Sequence, residues 1–162
     1  MTIDLSRTLK EASRVAVVGV GSDLRGDDAA GVEAVRKLKR RLTSSNVLLV
    51  EAGVAPESFT AQIKKFKPSH VLIIDVADFE AKPGSVVLAE SSAIIGQSIS
   101  THRLPLSLLA DYLREQTGAK ILLLGIQPSS VVIGAQMSKP VRNAIDELAE
   151  SLFKCLASVG AT

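Results

Sequence analysis

Four short aliphatic runs punctuate the chain: Val15 to Val20, Val47 to Val50, Val71 to Asp75 and Ile121 to Ile126. Each is strand-length, rich in branched residues and free of polar alternation, the pattern of a strand buried on both faces. Between these runs the apolar positions change to a helical spacing. Val32, Val35 and Leu38 mark a helix over Ala29 to Leu42; Phe59 and Ile63 mark one over Pro56 to Phe66; Leu108, Leu109 and Leu113 mark one over Pro105 to Gln116. A last helix is expected over Lys139 to Val159, with Pro140 in the first turn, where a missing N–H costs nothing.

The segment PGSVVLAE follows the third run after a turn too short to hold a crossover helix, so it is expected as an edge strand running antiparallel to its neighbour. Alternation of strand and helix elsewhere implies βαβ crossovers that clothe both faces of a sheet. The expected fold is a three-layer α/β/α domain spanning residues 1–162, with a mostly parallel twisted sheet of about five strands and one antiparallel edge strand. Residues 1–13 form an extension ahead of the first strand, where Ile3, Leu5 and Leu9 suit a short amphipathic helix. No repeat, low-complexity tract or linker interrupts the pattern.

Composition narrows the class. With 46% hydrophobic and 22% charged residues in a chain of 162, a full core can be buried. Lys plus Arg is 19 against 17 Asp plus Glu, and the charges are interspersed, which disfavours nucleic acid as a partner. The one basic run, VRKLKRRL, falls at a helix C-terminus, where cations complement the dipole, and is read as a solvated helix end. No apolar run reaches the roughly 18 residues of a membrane span. The N-terminus lacks a signal-peptide core, and the single cysteine, Cys155, has no internal disulfide partner; a cytoplasmic location is expected. Cys155 lies among Leu148, Leu152, Phe153 and Leu156 of the last helix, as a small buried hydrophobe would.

In an open α/β sheet, ligands bind beyond the carboxyl ends of the strands, where strand order reverses. Three places put chemistry there. After the first strand, VVGVGSDLRGDDAAG carries Asp27 and Asp28; its glycines do not complete a dinucleotide fingerprint, because Leu24 stands where a third glycine is needed and two acids repel a pyrophosphate. Asp75 closes the third strand, with Asp78 three residues on, and His102 lies in ISTHRLPLSLL before the next helix. Each has an ordinary structural reading alone: an Asp at a helix N-cap, an Asx turn, a surface imidazole. Two carboxylates and an imidazole converging from three strand-end loops also form an open site for a divalent transition metal such as nickel or zinc. His70, the other histidine, starts its strand at the far end of the sheet. No Gly-x-Ser-x-Gly elbow supports a serine nucleophile.

Five blocks in order, GVGSDLRGDDAAG, EAGVAPESF, LIIDVADFEAKPGSV, STHRLPLSLL and LLLGIQPSSVVIGAQMSKPV, resemble the hydrogenase maturation endopeptidases, which trim the C-terminal extension of nickel–iron hydrogenase large subunits. The GIQP and THRLPL wording most resembles the branch serving formate-hydrogenlyase-type, group 4 enzymes. Because EAGVAPES leaves the second strand beside the first, the backbone near Gly53 is expected to help hold the extended substrate tail. The resemblance implies metal ligands at Asp28, Asp75 and His102 and catalysis by Asp28 and Asp75. It implies that nickel arrives on the substrate, a large-subunit precursor cleaved only after metal insertion, and that zinc or cadmium can fill the site in vitro. It further implies an aspartic-type or metal-dependent peptidase working as a monomer. The alternative reading is a nickel-sensing chaperone that binds the same precursor without cutting it.

Overall fold

In the computed structural model, which describes residues 3–90 and 106–161, the four aliphatic runs are the parallel strands β1 (Val15–Val20), β2 (Val47–Gly53), β3 (His70–Val76) and β5 (Lys120–Ile126). The short strand β4 (Val86–Ala89) pairs antiparallel with β5, and the sheet order is β2-β1-β3-β5-β4. The edge strand therefore forms as expected. Its neighbour is β5, the strand that follows it in sequence, which slots between β3 and β4.

Helices α2 (Ala30–Lys39), α3 (Thr60–Phe66), α4 (Leu106–Thr117) and α5 (Lys139–Leu156) connect or follow the strands, and a one-turn α1 (Leu5–Thr8) precedes them. The first two long helices open more tightly than their spacing suggests. A 3-10 turn over Gly26–Ala29 leads into α2, and another over Pro56–Phe59 leads into α3.

Strand residues alternate between two cores. Val15, Val17, Leu72, Ile74, Leu122 and Leu124 face a layer made by α1, α2 and α5; Ala16, Val18, Val71, Ile73, Ile121 and Leu123 face a layer made by α3 and α4. Every residue of β3 is buried, because side chains on both faces meet a helix. That is why the sequence shows unbroken aliphatic runs.

The basic end of α2 is solvated as expected, with Lys39, Arg40 and Arg41 exposed, and two of its cations also edge the contact with α5. Lys37 reaches Asp146 at 2.9 Å, Arg41 reaches Glu150 at 2.5 Å, and the Arg41 guanidinium lies 4.0 Å over the Phe153 ring, at the rim of the contact with α5. Among the described residues no helix is long and apolar enough to cross a membrane.

Chain order fixes where a crevice can open. From β1 the chain moves to β2 on one side, then returns to lay β3 on the other, so the order reverses between the carboxyl ends of β1 and β3. The start of α2 is pressed onto those ends. A Cβ on Gly31 would lie 2.1 Å from the Ile74 carbonyl oxygen and 2.5 Å from that of Val20, so only glycine lets the helix come this close.

Candidate active site

Asp28 and Asp75 lie at this reversal point. Asp75 is the sixth residue of β3, fully buried, and its Oδ1 accepts the N–H of Val76 at 2.8 Å. Asp28 sits in the 3-10 turn that leads from β1 into α2; it is 3% exposed, and its Oδ2 accepts the N–H of Ser22 at 3.2 Å. Glycine packing holds that turn against the strand ends, so both carboxylates belong to the same corner of the sheet. Two acids buried at strand ends are costly in an apolar domain, and the cost is concentrated where a ligand would enter.

The two adjacent acids have separate tasks. Asp27, also fully buried, points to the loop after β5: Oδ2 accepts the N–H groups of Ser129 (2.8 Å) and Ser130 (3.2 Å) and the Ser138 hydroxyl (2.8 Å), while Oδ1 accepts the Ser138 N–H (2.6 Å). The backbone adds a bond from the Asp27 N–H to the Ser130 carbonyl at 3.0 Å. Four donors use up the acceptor capacity of one carboxylate, which leaves Asp27 no role as a ligand. The helix-cap reading of the pair is corrected: neither carboxylate makes a side-chain cap bond at the start of the 3-10 turn or of α2, although both stand in the first turn, where negative charge suits the dipole.

A polar frame steadies the turn from outside. Arg36 of α2 forks onto both oxygens of Asp23 at 2.8 Å and donates through Nε to Glu51 of β2 at 2.8 Å; Lys39 adds a bond to Glu51 at 2.7 Å. Arg36 holds the Asp23 carboxyl below the usual carboxylate range, and Lys39, then Arg36, do the same for Glu51. Just past Glu51 the β1–β2 register slips by one residue, pairing Gly19 with Glu51 but Val20 with Gly53. This bulge brings the Gly53 carbonyl onto the Gly21 N–H at 2.9 Å.

Gly53 has a left-handed backbone (φ 61°) with open space where a Cβ would stand, and Val54 beside it is exposed. A segment entering the crevice can therefore approach the main chain here. The same φ means that a valine at this position would be strained by its own backbone, so Gly53→Asn, which tolerates φ above zero, is the cleaner probe of substrate contact.

His102 lies outside the described residues, as do Pro105 and the long segment before it. Among the described residues no group of three His, Cys, Asp or Glu side chains is arranged to hold a metal. The structure thus places Asp28, Asp75 and the Gly53 backbone at the carboxyl end of the sheet. His70 stands at the opposite end of β3, buried, with Nδ1 2.9 Å from the Ser69 hydroxyl.

One residue near the corner escaped the sequence reading. Gln127, just past β5, is buried; its Oε1 accepts the N–H groups of Phe79 (2.9 Å) and Ala81 (3.3 Å), and its Nε2 donates to Asp78 (3.3 Å). It clamps the loop that leaves Asp75. The lone amide directly after an aliphatic strand marks the position in the sequence, but not the loop it clamps.

Comparison with known proteins identifies the family and the fold. The family model for hydrogenase maturation proteases matches residues 32–155, a span that contains Gly53, Asp75 and His102 and begins just after Asp28. The chain is 36% identical over 155 residues to a putative hydrogenase maturation protease of Methanocaldococcus jannaschii, covering 91% of each chain. It is 31% identical to the hydrogenase 3 maturation protease of Escherichia coli K12, covering 82% of this chain and 85% of the other. The crystal structure of the [NiFe] hydrogenase maturation protease HycI from Thermococcus kodakarensis superposes with a TM-score of 0.88 at 35% identity, over 94% of this chain and 97% of that one. The solution structure of the Escherichia coli endopeptidase HycI gives 0.79 at 29% identity, over 87% and 90%.

Proposed function

The chain belongs to the hydrogenase maturation protease family, a family of peptidases that process hydrogenase precursors, and from that premise we propose that it removes the C-terminal extension of a nickel–iron hydrogenase large subunit once nickel has been inserted. The observation that supports this reading most is the pair of buried carboxylates, Asp28 and Asp75, at the one corner of the sheet where strand order reverses.

In this reading nickel is part of the substrate. Asp28 and Asp75, joined by His102, offer hard oxygen donors and a borderline nitrogen donor, a set that suits a divalent first-row ion. Engaging the ion on the precursor places the scissile bond over the crevice, and the open backbone at Gly53 supports the extended tail. An Asp28 or Asp75 oxygen that does not coordinate the ion serves as general base for the attacking water, and the substrate ion polarises the scissile carbonyl. Zinc or cadmium at the same donors would report the site in vitro.

The decisive assay incubates nickel-loaded and nickel-free precursor with the protein and follows the mass of the large subunit. Loss of a C-terminal fragment from the loaded form alone is expected, and Asp28→Asn and Asp75→Asn are each expected to slow it by roughly 10²-fold or more. An intact mass for a loaded precursor that nevertheless binds the protein would favour the nickel-sensing chaperone.

A further inference from the structure

The loop that Asp27 holds carries more than structure. From Ser129 to Ser138 it contains no charged residue, and Val132 and Ile133 at its tip are 66% and 76% exposed. Leu24, 73% exposed, stands just ahead of the 3-10 turn that carries Asp28. The two segments are tied together at these points: the Gly134 N–H donates to the Leu24 carbonyl at 2.9 Å, and Arg25 Nε donates to the Val131 carbonyl at 3.2 Å. Three large aliphatic side chains are thus kept in water at the carboxyl end of the sheet by a lattice of hydrogen bonds, although single exposed residues elsewhere need no explanation.

We propose that Leu24, Val132 and Ile133 form the docking face for an uncharged, aliphatic stretch of the hydrogenase precursor, and that Asp27 is the positioning residue that locks this face beside Asp28. This inference rests on the protease reading above. Two features favour the precursor over other occupants. Leu24 is only four residues from Asp28, just ahead of the 3-10 turn that holds it, so whatever covers the face also stands at the mouth of the crevice; a second copy of this chain there would obstruct the site that the precursor must reach. The absence of charge from Ser129 to Ser138 selects against an acidic or basic partner surface and for apolar contact. Aliphatic anchors next to a polar, buried centre are also the arrangement in which a few residues dominate affinity.

The test measures the affinity of nickel-loaded precursor for the wild type, for the double variant Leu24→Ser/Ile133→Ser, for Asp27→Asn, and for Leu108→Ser, an exposed aliphatic residue on α4 used as a control. Thermal melting and cleavage are followed in parallel. The double variant should melt with the wild type yet bind about tenfold more weakly, the loss expected when two aliphatic side chains no longer leave water. Asp27→Asn should also weaken binding, and Leu108→Ser should not. Affinity of the double variant within about twofold of the wild type, or equal loss in Leu108→Ser, overturns the docking face. A wild type that self-associates, with the double variant monomeric and precursor affinity unchanged, overturns it in favour of a second copy. Weakened binding without cleavage by any form keeps the face and sinks the protease reading; normal cleavage with unchanged binding does the reverse.

Discussion

At the scale of single residues, the consecutive acids Asp27 and Asp28 give the sharpest contrast. They are chemically alike and both buried, yet one accepts four hydrogen bonds from a loop a hundred residues away and the other faces the strand ends. Substitution should separate them. Asp27→Asn places an amide N–H where three donors now converge, so it should lower unfolding free energy by about 1–3 kcal/mol. Asp28→Asn should change denaturant midpoints little and slow cleavage by roughly 10²-fold or more. Urea titration of both variants beside the cleavage assay checks this; equal destabilisation by the two would show that the acids share one structural task. At Gly53, where φ is 61° with open space around the missing Cβ, Gly53→Asn should fold normally and cleave more slowly, whereas Gly53→Val should lose stability first.

Among elements, the junction of α2 with β1 and β3 sets the distance between the two catalytic candidates. Gly31→Ala would place a methyl 2.1 Å from the Ile74 carbonyl oxygen, and backbone cannot yield as a side chain would. A loss of about 1–3 kcal/mol is expected from the forced shift of α2, with cleavage falling alongside because Asp28 moves with the helix. Retention of full activity in a destabilised Gly31→Ala protein would uncouple helix seating from the site. This level also shows what the sequence could reveal. Unbroken aliphatic runs disclosed strands buried on both faces, and the short turn before Val86 disclosed an antiparallel edge; both are local consequences of burial and chain length. Which strand would lie beside Val86–Ala89 was not legible, because insertion of β5 between β3 and β4 is decided by pairings across the whole sheet. Asp75 was legible as a candidate because it closes an apolar strand, and Asp28 because it lies between a strand and the helix that follows it. The division of labour between Asp27 and Asp28, and the Gln127 clamp on the loop after Asp75, were not, since their partners lie far away in sequence.

For the molecule as a whole, ionisable groups at its two ends respond to different acidities. His70 is held below its ordinary value of 6.5, chiefly by burial and then by Lys120. A folded state that disfavours the imidazolium is most stable above pH 6.5 and loses that contribution as pH falls towards and through the depressed value. Asp23 and Glu51, held below their ordinary 3.8 and 4.5 by Arg36 and Lys39, keep their contribution until the medium becomes far more acidic; both are partly solvated, so the effect there is small. Melting temperature should therefore begin to fall below about pH 6.5, well before the carboxylates titrate. His70→Gln should flatten that first decline and leave the acid limb unchanged. An identical pH profile for the variant would place the titrating group elsewhere.

The two ends of the sheet thus carry different buried groups: His70 at one end, and at the other Asp28 and Asp75, which we propose as the site. The most direct measurement of that assignment is an anomalous difference map from crystals soaked in nickel. The account predicts a peak at about 2.0–2.2 Å from carboxylate oxygens of Asp28 and Asp75, with the imidazole of His102 completing the set. A peak elsewhere, at His70 or Cys155 for example, with no density between Asp28 and Asp75, would contradict it.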